Sequence, residues 1–267
     1  MTTVNDIYDF LCSIAPLGMT ADFDNVGLLV GRGDVDVSRI LVSLDITNDV
    51  ISEALEIEAQ LIVAHHPLFF SLKSVTDMDI TGGKIVRLLS GGVSAICMHT
   101  NLDATRGGIN DVLASVVGIA EDGKEADLLS EDDLLPSGET FSYGRVGYLK
   151  NPCPMPEYLE MLKKALKTNG LRYYDSGNDV YKVGIVSGSG GDKFHHALKH
   201  GCDTFITADV KYNVFLEAKE LGVNIIDGDH YCTENVVTDV LATKLRSAFP
   251  GAEVVVSKKH MQTVRFI

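Results

Sequence analysis

The sequence predicts an α/β protein of duplicated βαβ units with mainly parallel sheets. Three observations carry that expectation. Short apolar runs alternate with segments of helical periodicity, the pattern of strand–helix–strand units. The alternation occurs as a triplet twice, once toward each end of the chain, in order and spacing rather than residue identity. Polar clusters rich in metal-ligating side chains fall at the ends of several runs, where open α/β sheets bind ligands.

Taken in order, Val4, Ile7, Tyr8, Leu11 and Ile14 recur at helical spacing, and Pro16 with Gly18 closes that helix. Residues 22–31 read as a loop entering a short strand. The first triplet consists of the runs 39–45, 60–64 and 93–98, with helices at 48–59 and 83–89 between them and a further helix from Gly107-Gly108 to about Val117. Residues 121–139 are acid-rich and read as a solvated connection. A strand at 144–149, a helix at 155–168 entered through Pro152, Pro154 and Pro156, and a strand at 171–174 come next. The second triplet consists of the runs 182–187, 203–207 and 223–226, with helices at 193–200, 211–221 and 233–247 and a last strand at 252–257.

Composition narrows the function classes. The chain has 267 residues, 45% hydrophobic and 22% charged, which excludes a disordered chain, collagen and a disulfide scaffold. No uninterrupted apolar stretch reaches the roughly 18 residues of a membrane span. The first residues lack the basic and apolar regions of a signal peptide, so a cytoplasmic location is expected. With 23 basic and 37 acidic side chains the net charge is −14, which argues against general nucleic-acid binding. The five cysteines form no C-x-x-C pair and read as reduced, packed thiols.

Three clusters carry the candidate chemistry. His65-His66-Pro67 ends a strand; adjacent residues leaving a strand point to opposite sides, so the pair addresses two metal ions, or one ion and one core contact. A satisfied buried histidine beside an exposed one is the plainer reading. His99 and Asp103 follow the next strand and offer a borderline nitrogen and a hard oxygen, although an Asp before Gly107-Gly108 also serves as a helix cap. In His230-Tyr-Cys-Thr-Glu234, a helix beginning near 230 puts His230 and Glu234 on one face; Glu234 is equally a first-turn acid favoured by the helix dipole. Together the clusters are expected at one edge of one sheet. Such a donor set suits two divalent ions about 3.5–4 Å apart, with a carboxylate such as Glu234 bridging.

Weaker candidates are His196 and His200 at helical spacing, a glycine-rich 184–192 segment that lacks the Lys of a P-loop, and Arg106 beside Asp103. Cys232 lies between His230 and Glu234 but points elsewhere on a helix and is not counted.

These motifs in this order resemble the Nif-three-like dinuclear metal-centre family, whose members carry the name GTP cyclohydrolase 1 type 2. The resemblance runs nearly end to end, through Asp24-Asn25-Val26-Gly27-Leu28, His65-His66-Pro67, His99-Thr-Asn-Leu-Asp103, Gly144-Arg-x-Gly147, Gly188-Ser-Gly190 and His230-x-x-x-Glu234. It implies the two-lobed Nif-three-like fold of that family, with a metal-site lobe at 1–125 plus 226–267 and a second α/β lobe at 126–225. It implies two divalent ions (Zn, Fe, Mn, Co or Ni) held by His65, His66, Asp103, His230 and Glu234, with Glu234 contacting both. His99 becomes a proton carrier or substrate contact. A toroidal homohexamer, a trimer of dimers, and a small-molecule substrate are implied as well. Two positions depart from the pattern: Asp229 precedes His230 where Gly is frequent, and Asn213 stands where many relatives carry His. The extra inserted domain of longer members is absent. The leading expectation is a metal-dependent hydrolase of a nucleotide or phosphoester; the alternative is a non-enzymatic protein for metal storage, delivery or scaffolding.

Overall fold

The computed structural model describes residues 1–120, 126–130, 133–134, 138 and 140–267. The chain divides into two compact units, Met1–Leu102 with Thr238–Met261 and Asp103–Val237 with Gln262–Ile267.

The first unit is built on a five-stranded sheet in the order Gly27–Val30, Ser94–Cys97, Leu61–Ala64, Arg39–Ser43 and Glu253–Val256. Four strands are parallel and Gly27–Val30 runs antiparallel at one edge. The central strands are buried on both faces, which is why they read as continuous apolar runs rather than alternating ones. Leu41, Ile62 and Ala95 pack with Val50, Ile51, Ile85 and Leu88 of the flanking helices, and fully burying each large aliphatic contributes roughly 1.5–3 kcal/mol. Local signals set the helix starts. Thr3 and Asp6 form a reciprocal capping box before Val4–Ile14, Thr47 caps Asn48–Glu56, and Asp79 accepts from the Gly82 N–H at 2.8 Å. That last cap starts the helix at Ile80, earlier than the expected Gly83.

The second unit holds a six-stranded sheet in the order Asp127–Leu128, Arg145–Cys153, Val180–Ile185, Thr204–Thr207, Asn224–Asp227 and Arg172–Tyr174. The three strands of the second triplet are parallel and adjacent at its centre. The other three pair antiparallel on either side. Ile206 and Ile226 pack with Tyr158 and Leu162, whereas their neighbours Phe205 and Ile225 pack with Phe194 and Val210. Successive residues thus supply the cores on opposite faces. Asp133–Leu134 and Thr140–Phe141 form a small antiparallel pair. The acid-rich 121–139 segment lies largely outside the described residues.

The units differ from the expected lobes of 1–125 plus 226–267 and 126–225. Asn224–Asp227 is hydrogen-bonded to Thr204–Thr207, so His230 and Glu234 follow a strand of the second sheet. The donors are therefore not carried by one edge of one sheet. The expected helix at 233–247 is two pieces, His230–Glu234 and Val236–Ala248.

Candidate metal centre

In the first unit, three neighbouring parallel strands deliver Asp45, His65 with His66, and His99 at their carboxyl ends. The rings of His65 and His66 do not diverge as alternation requires. Both backbone N–H groups donate to the Leu44 carbonyl, at 3.1 and 2.9 Å, so the chain has left strand geometry. The ring centroids are 4.8 Å apart, and His99 lies 5.0 Å from His65 and 5.4 Å from His66. One nitrogen from each ring falls within 4.8 Å of the others, a group able to hold a metal ion.

Each of these rings has an acceptor behind it. His65 Nδ1 donates to the Met98 carbonyl at 2.9 Å, and since a carbonyl only accepts, the proton is on Nδ1 and the lone pair on Nε2. His66 Nδ1 meets Asp45 Oδ1 at 2.8 Å, and His99 Nδ1 meets Asp24 Oδ1 at 2.8 Å. Asp24 also accepts from the Thr100 N–H at 3.0 Å and hydroxyl at 2.6 Å. Burial pushes the Asp24 carboxyl up, but the hydrogen bonds from His99 and Thr100 outweigh it and hold the group well below the usual carboxylate range. Asp45 behaves alike: burial raises it, and His260 at 2.6 Å together with His66 brings it far down.

In the second unit, His230 opens the helix His230–Glu234, which Asp229 caps by accepting from the Cys232 N–H at 3.1 Å. His230 Nε2 is 3.0 Å from Glu234 Oε2, and Nδ1 is 2.7 Å from Asp209 Oδ2. Burial pulls this imidazole down, but Glu234 first and Asp209 second raise it to about 9. Asp209 and Asp229 both have positive φ, 51° and 71°, conformations that side chains disfavour and that cluster at functional sites.

Asp103 joins the same network. Its Oδ1 accepts from Ser187 Oγ at 3.2 Å, and its carbonyl accepts from Asn110 Nδ2 at 3.1 Å. Asn110 in turn accepts from the Ser187 N–H at 2.9 Å. Gly188 follows, with φ +58°, and a Cβ there would lie 2.0 Å from Glu234 Oε1. The glycine-rich segment, one of the weaker candidates in the sequence, thus leaves room for Glu234. Arg145 is fully buried and donates to the carbonyls of Ala104 and Thr105, both at 3.2 Å, which fixes the chain just beyond Asp103.

The weaker candidates separate from these clusters. His200 Nε2 is 2.8 Å from the Leu129 carbonyl, and His195 pairs with Glu217 at 3.3 Å. Arg106 donates to the Ala126 carbonyl at 2.8 Å. Cys232 is buried, and burial pushes its thiol up to about 12. Asn213 lines a pocket of about 400 Å³ together with Ser189, Asp192, Asp209 and Lys211.

The donors fit divalent metal. Each of the four imidazoles has Nδ1 engaged by a carboxylate or carbonyl, the arrangement that fixes tautomer and orientation in metal-ligating histidines. Within the second unit Asp103 and Glu234 offer oxygen and His230 nitrogen, a donor chemistry that leaves the choice among first-row metals open. Sequence reasoning missed the supporting residues Asp45, Asp209 and His260, and quoted Asp24 without its role. Asp45 and Asp209 each sit two residues beyond a strand end, a signal that was available.

Fold and clusters define a two-unit α/β protein whose grouped His and carboxylate side chains can hold metal. The chain belongs to the Duf34/NIF3 (NGG1p interacting factor 3) family, whose model matches residues 2–262. It is 35% identical to a GTP cyclohydrolase 1 type 2 homolog of Clostridium perfringens, over 99% of both chains. It superimposes on a Bacillus cereus protein related to NIF3 with a TM-score of 0.92 at 21% identity, covering 100% of this chain and 99% of that one. A hypothetical protein of Staphylococcus aureus matches with a TM-score of 0.90 at 27% identity, over 99% of both chains. No helix among the described residues is long and apolar enough to cross a membrane.

Proposed function

We propose that this chain binds two divalent metal ions through His65, His66, Asp103, His230 and Glu234, and that it is a metal-dependent hydrolase of a nucleotide or phosphoester. The observation that carries the reading is the anchoring of Nδ1 in His65, His66 and His230, which presents Nε2 as the ligand atom. When bound, the ions supply Lewis acidity that polarises an electrophile and makes water more acidic. His99 is the proton carrier. Asp24 holds its Nδ1, so the proton is taken up and returned at Nε2. The relatives' name points to GTP as a first substrate to assay. Self-association as a toroidal hexamer, a trimer of dimers, is an expectation carried by the sequence resemblance alone, and sedimentation tests it. Reduced, buried thiols at Cys97, Cys202 and Cys232 fit a cytoplasmic location.

The test is metal analysis of protein purified without added metal, beside Glu234→Ala, with GTP and a generic phosphoester assayed on the same samples. Two ions per chain, lost in the variant, with metal-dependent turnover is the expected result. Two ions with no turnover on either substrate transfers the reading to metal storage, delivery or scaffolding. No bound metal after reconstitution overturns both.

A further inference from the structure

An aromatic pair borders the histidine cluster of the first unit and has no part in the chemistry above. The chain has ten phenylalanines, all among the described residues. Only Phe23 and Phe70 expose more than half of their surface, 69% and 57%. These two are neighbours, with ring centroids 6.3 Å apart and planes at 50°. Phe70 lies 6.1 Å from the His99 ring. Single exposed apolar side chains are ordinary, but two large rings in contact beside a polar cluster are not scattered exposure.

The pair is also held in register with that cluster. Phe23-Asp24-Asn25 are consecutive. Phe23 supplies one ring, and Asp24 orients His99. Asn25 Nδ2 donates to the Phe69 carbonyl at 2.8 Å, pinning the backbone just before Phe70. One tripeptide therefore sets both rings relative to the candidate proton carrier. A loop that merely tolerated exposed phenylalanines would not need this tether.

We infer that Phe23 and Phe70 form a subsite for the planar heteroaromatic ring of a small-molecule substrate, beside His99. Open π faces take such rings by stacking, with little demand on their hydrogen-bond pattern. The inference rests on the proposed function and deepens it: the substrate is a ring-bearing nucleotide-like molecule, not a simple phosphoester.

The chain contains no tryptophan, so Phe23→Trp introduces a single indole reporter. Its emission is followed during titration with guanosine, adenosine, GTP and inorganic tripolyphosphate, with and without chelator, and metal content is measured in parallel. The expected result is saturable quenching by the nucleosides and GTP and none by tripolyphosphate. Adding Phe70→Ala should weaken that binding about tenfold or more, leave metal content unchanged, and be reversed by Phe70→Tyr. Absence of quenching by every ring compound, or equal quenching by tripolyphosphate, overturns the inference. So does an emission change that follows protein concentration instead of ligand, because the rings would then cover a contact between copies. Loss of metal from the unsubstituted protein would sink the metal reading alone, since the chelated arm still reports on the rings.

Discussion

In the first unit three imidazoles follow neighbouring parallel strands, and each has its acceptor behind it. In the second a single imidazole opens a helix with a carboxylate at each nitrogen. The first cluster is set by acids that accept from His and end up far below their ordinary range. The second is set by backbone: a glycine that clears Glu234 and two aspartates at positive φ. The difference teaches where each is fragile. Side-chain changes behind the rings should loosen the first, and backbone changes should break the second.

The largest effect is expected at Gly188. Gly188→Ala places a Cβ against Glu234 and forces a side chain into the left-handed region. Gly201 has a similar φ, +68°, with nothing within 4 Å of its would-be Cβ, so Gly201→Ala isolates the backbone cost of roughly 1–2 kcal/mol. Thermal melts should show a modest drop for Gly201→Ala and a clearly larger one for Gly188→Ala. Metal analysis should show loss only in the latter. Equal behaviour of the two variants would remove the role given to Gly188.

Next come the supporting acids. Asp45→Asn and Asp209→Asn keep shape while removing charge, and Asn tolerates the positive φ of Asp209. Each should weaken metal binding about 10–100-fold, measured by competition with a chelator. An effect at Asp209 but none at Asp45 would mean that His66 is no ligand.

These supporting positions show what could be read from the sequence. The strands of both triplets, the strand-end histidines and the His230–Glu234 turn were legible because they are local: apolar runs, turn residues, and one helical turn of spacing. The pairing of His260 with Asp45 spans 215 residues and that of His99 with Asp24 spans 75, and no local pattern encodes either. The closeness of the His65 and His66 rings was not legible, because it depends on the Leu44 carbonyl taking both N–H groups and ending the strand's alternation. The space that Gly188 leaves for Glu234 was not legible, because a glycine in the sequence does not say which side chain needs the room.

The comparison sharpens with pH. In metal-free protein the Glu234 and Asp209 carboxylates raise His230 to about 9. A raised histidine contributes stability that is fully present below the ordinary value of 6.5 and lost as pH rises through about 9. NMR titration of the metal-free protein should find one imidazole titrating near the upper value, and Asp209→Asn should lower it. Metal binding near pH 7 should then release a proton from this ring, visible as buffer-dependent heat in calorimetry.

The smallest effect concerns the support behind the first cluster. Glu53 is buried and accepts from Ser257 Oγ and from the N–H groups of Lys258 and Lys259, at 2.5, 2.9 and 3.3 Å. That segment leads directly to His260, which holds Asp45, which holds His66. Burial raises the Glu53 carboxyl, but these hydrogen bonds bring it below 4.5 overall. A lowered carboxyl contributes stability above the unfolded value and loses it as pH falls through the folded one, so the latch weakens in acid below about 4.5. Glu53→Gln lacks that titration. Its melting temperature should sit slightly below the parent's at pH 7 and converge with it as the pH falls and Glu53 is protonated. Parallel curves for the two proteins would show that the charge of Glu53 contributes nothing to the latch, and would leave His260 to be held by the packing of the Glu253–Val256 strand.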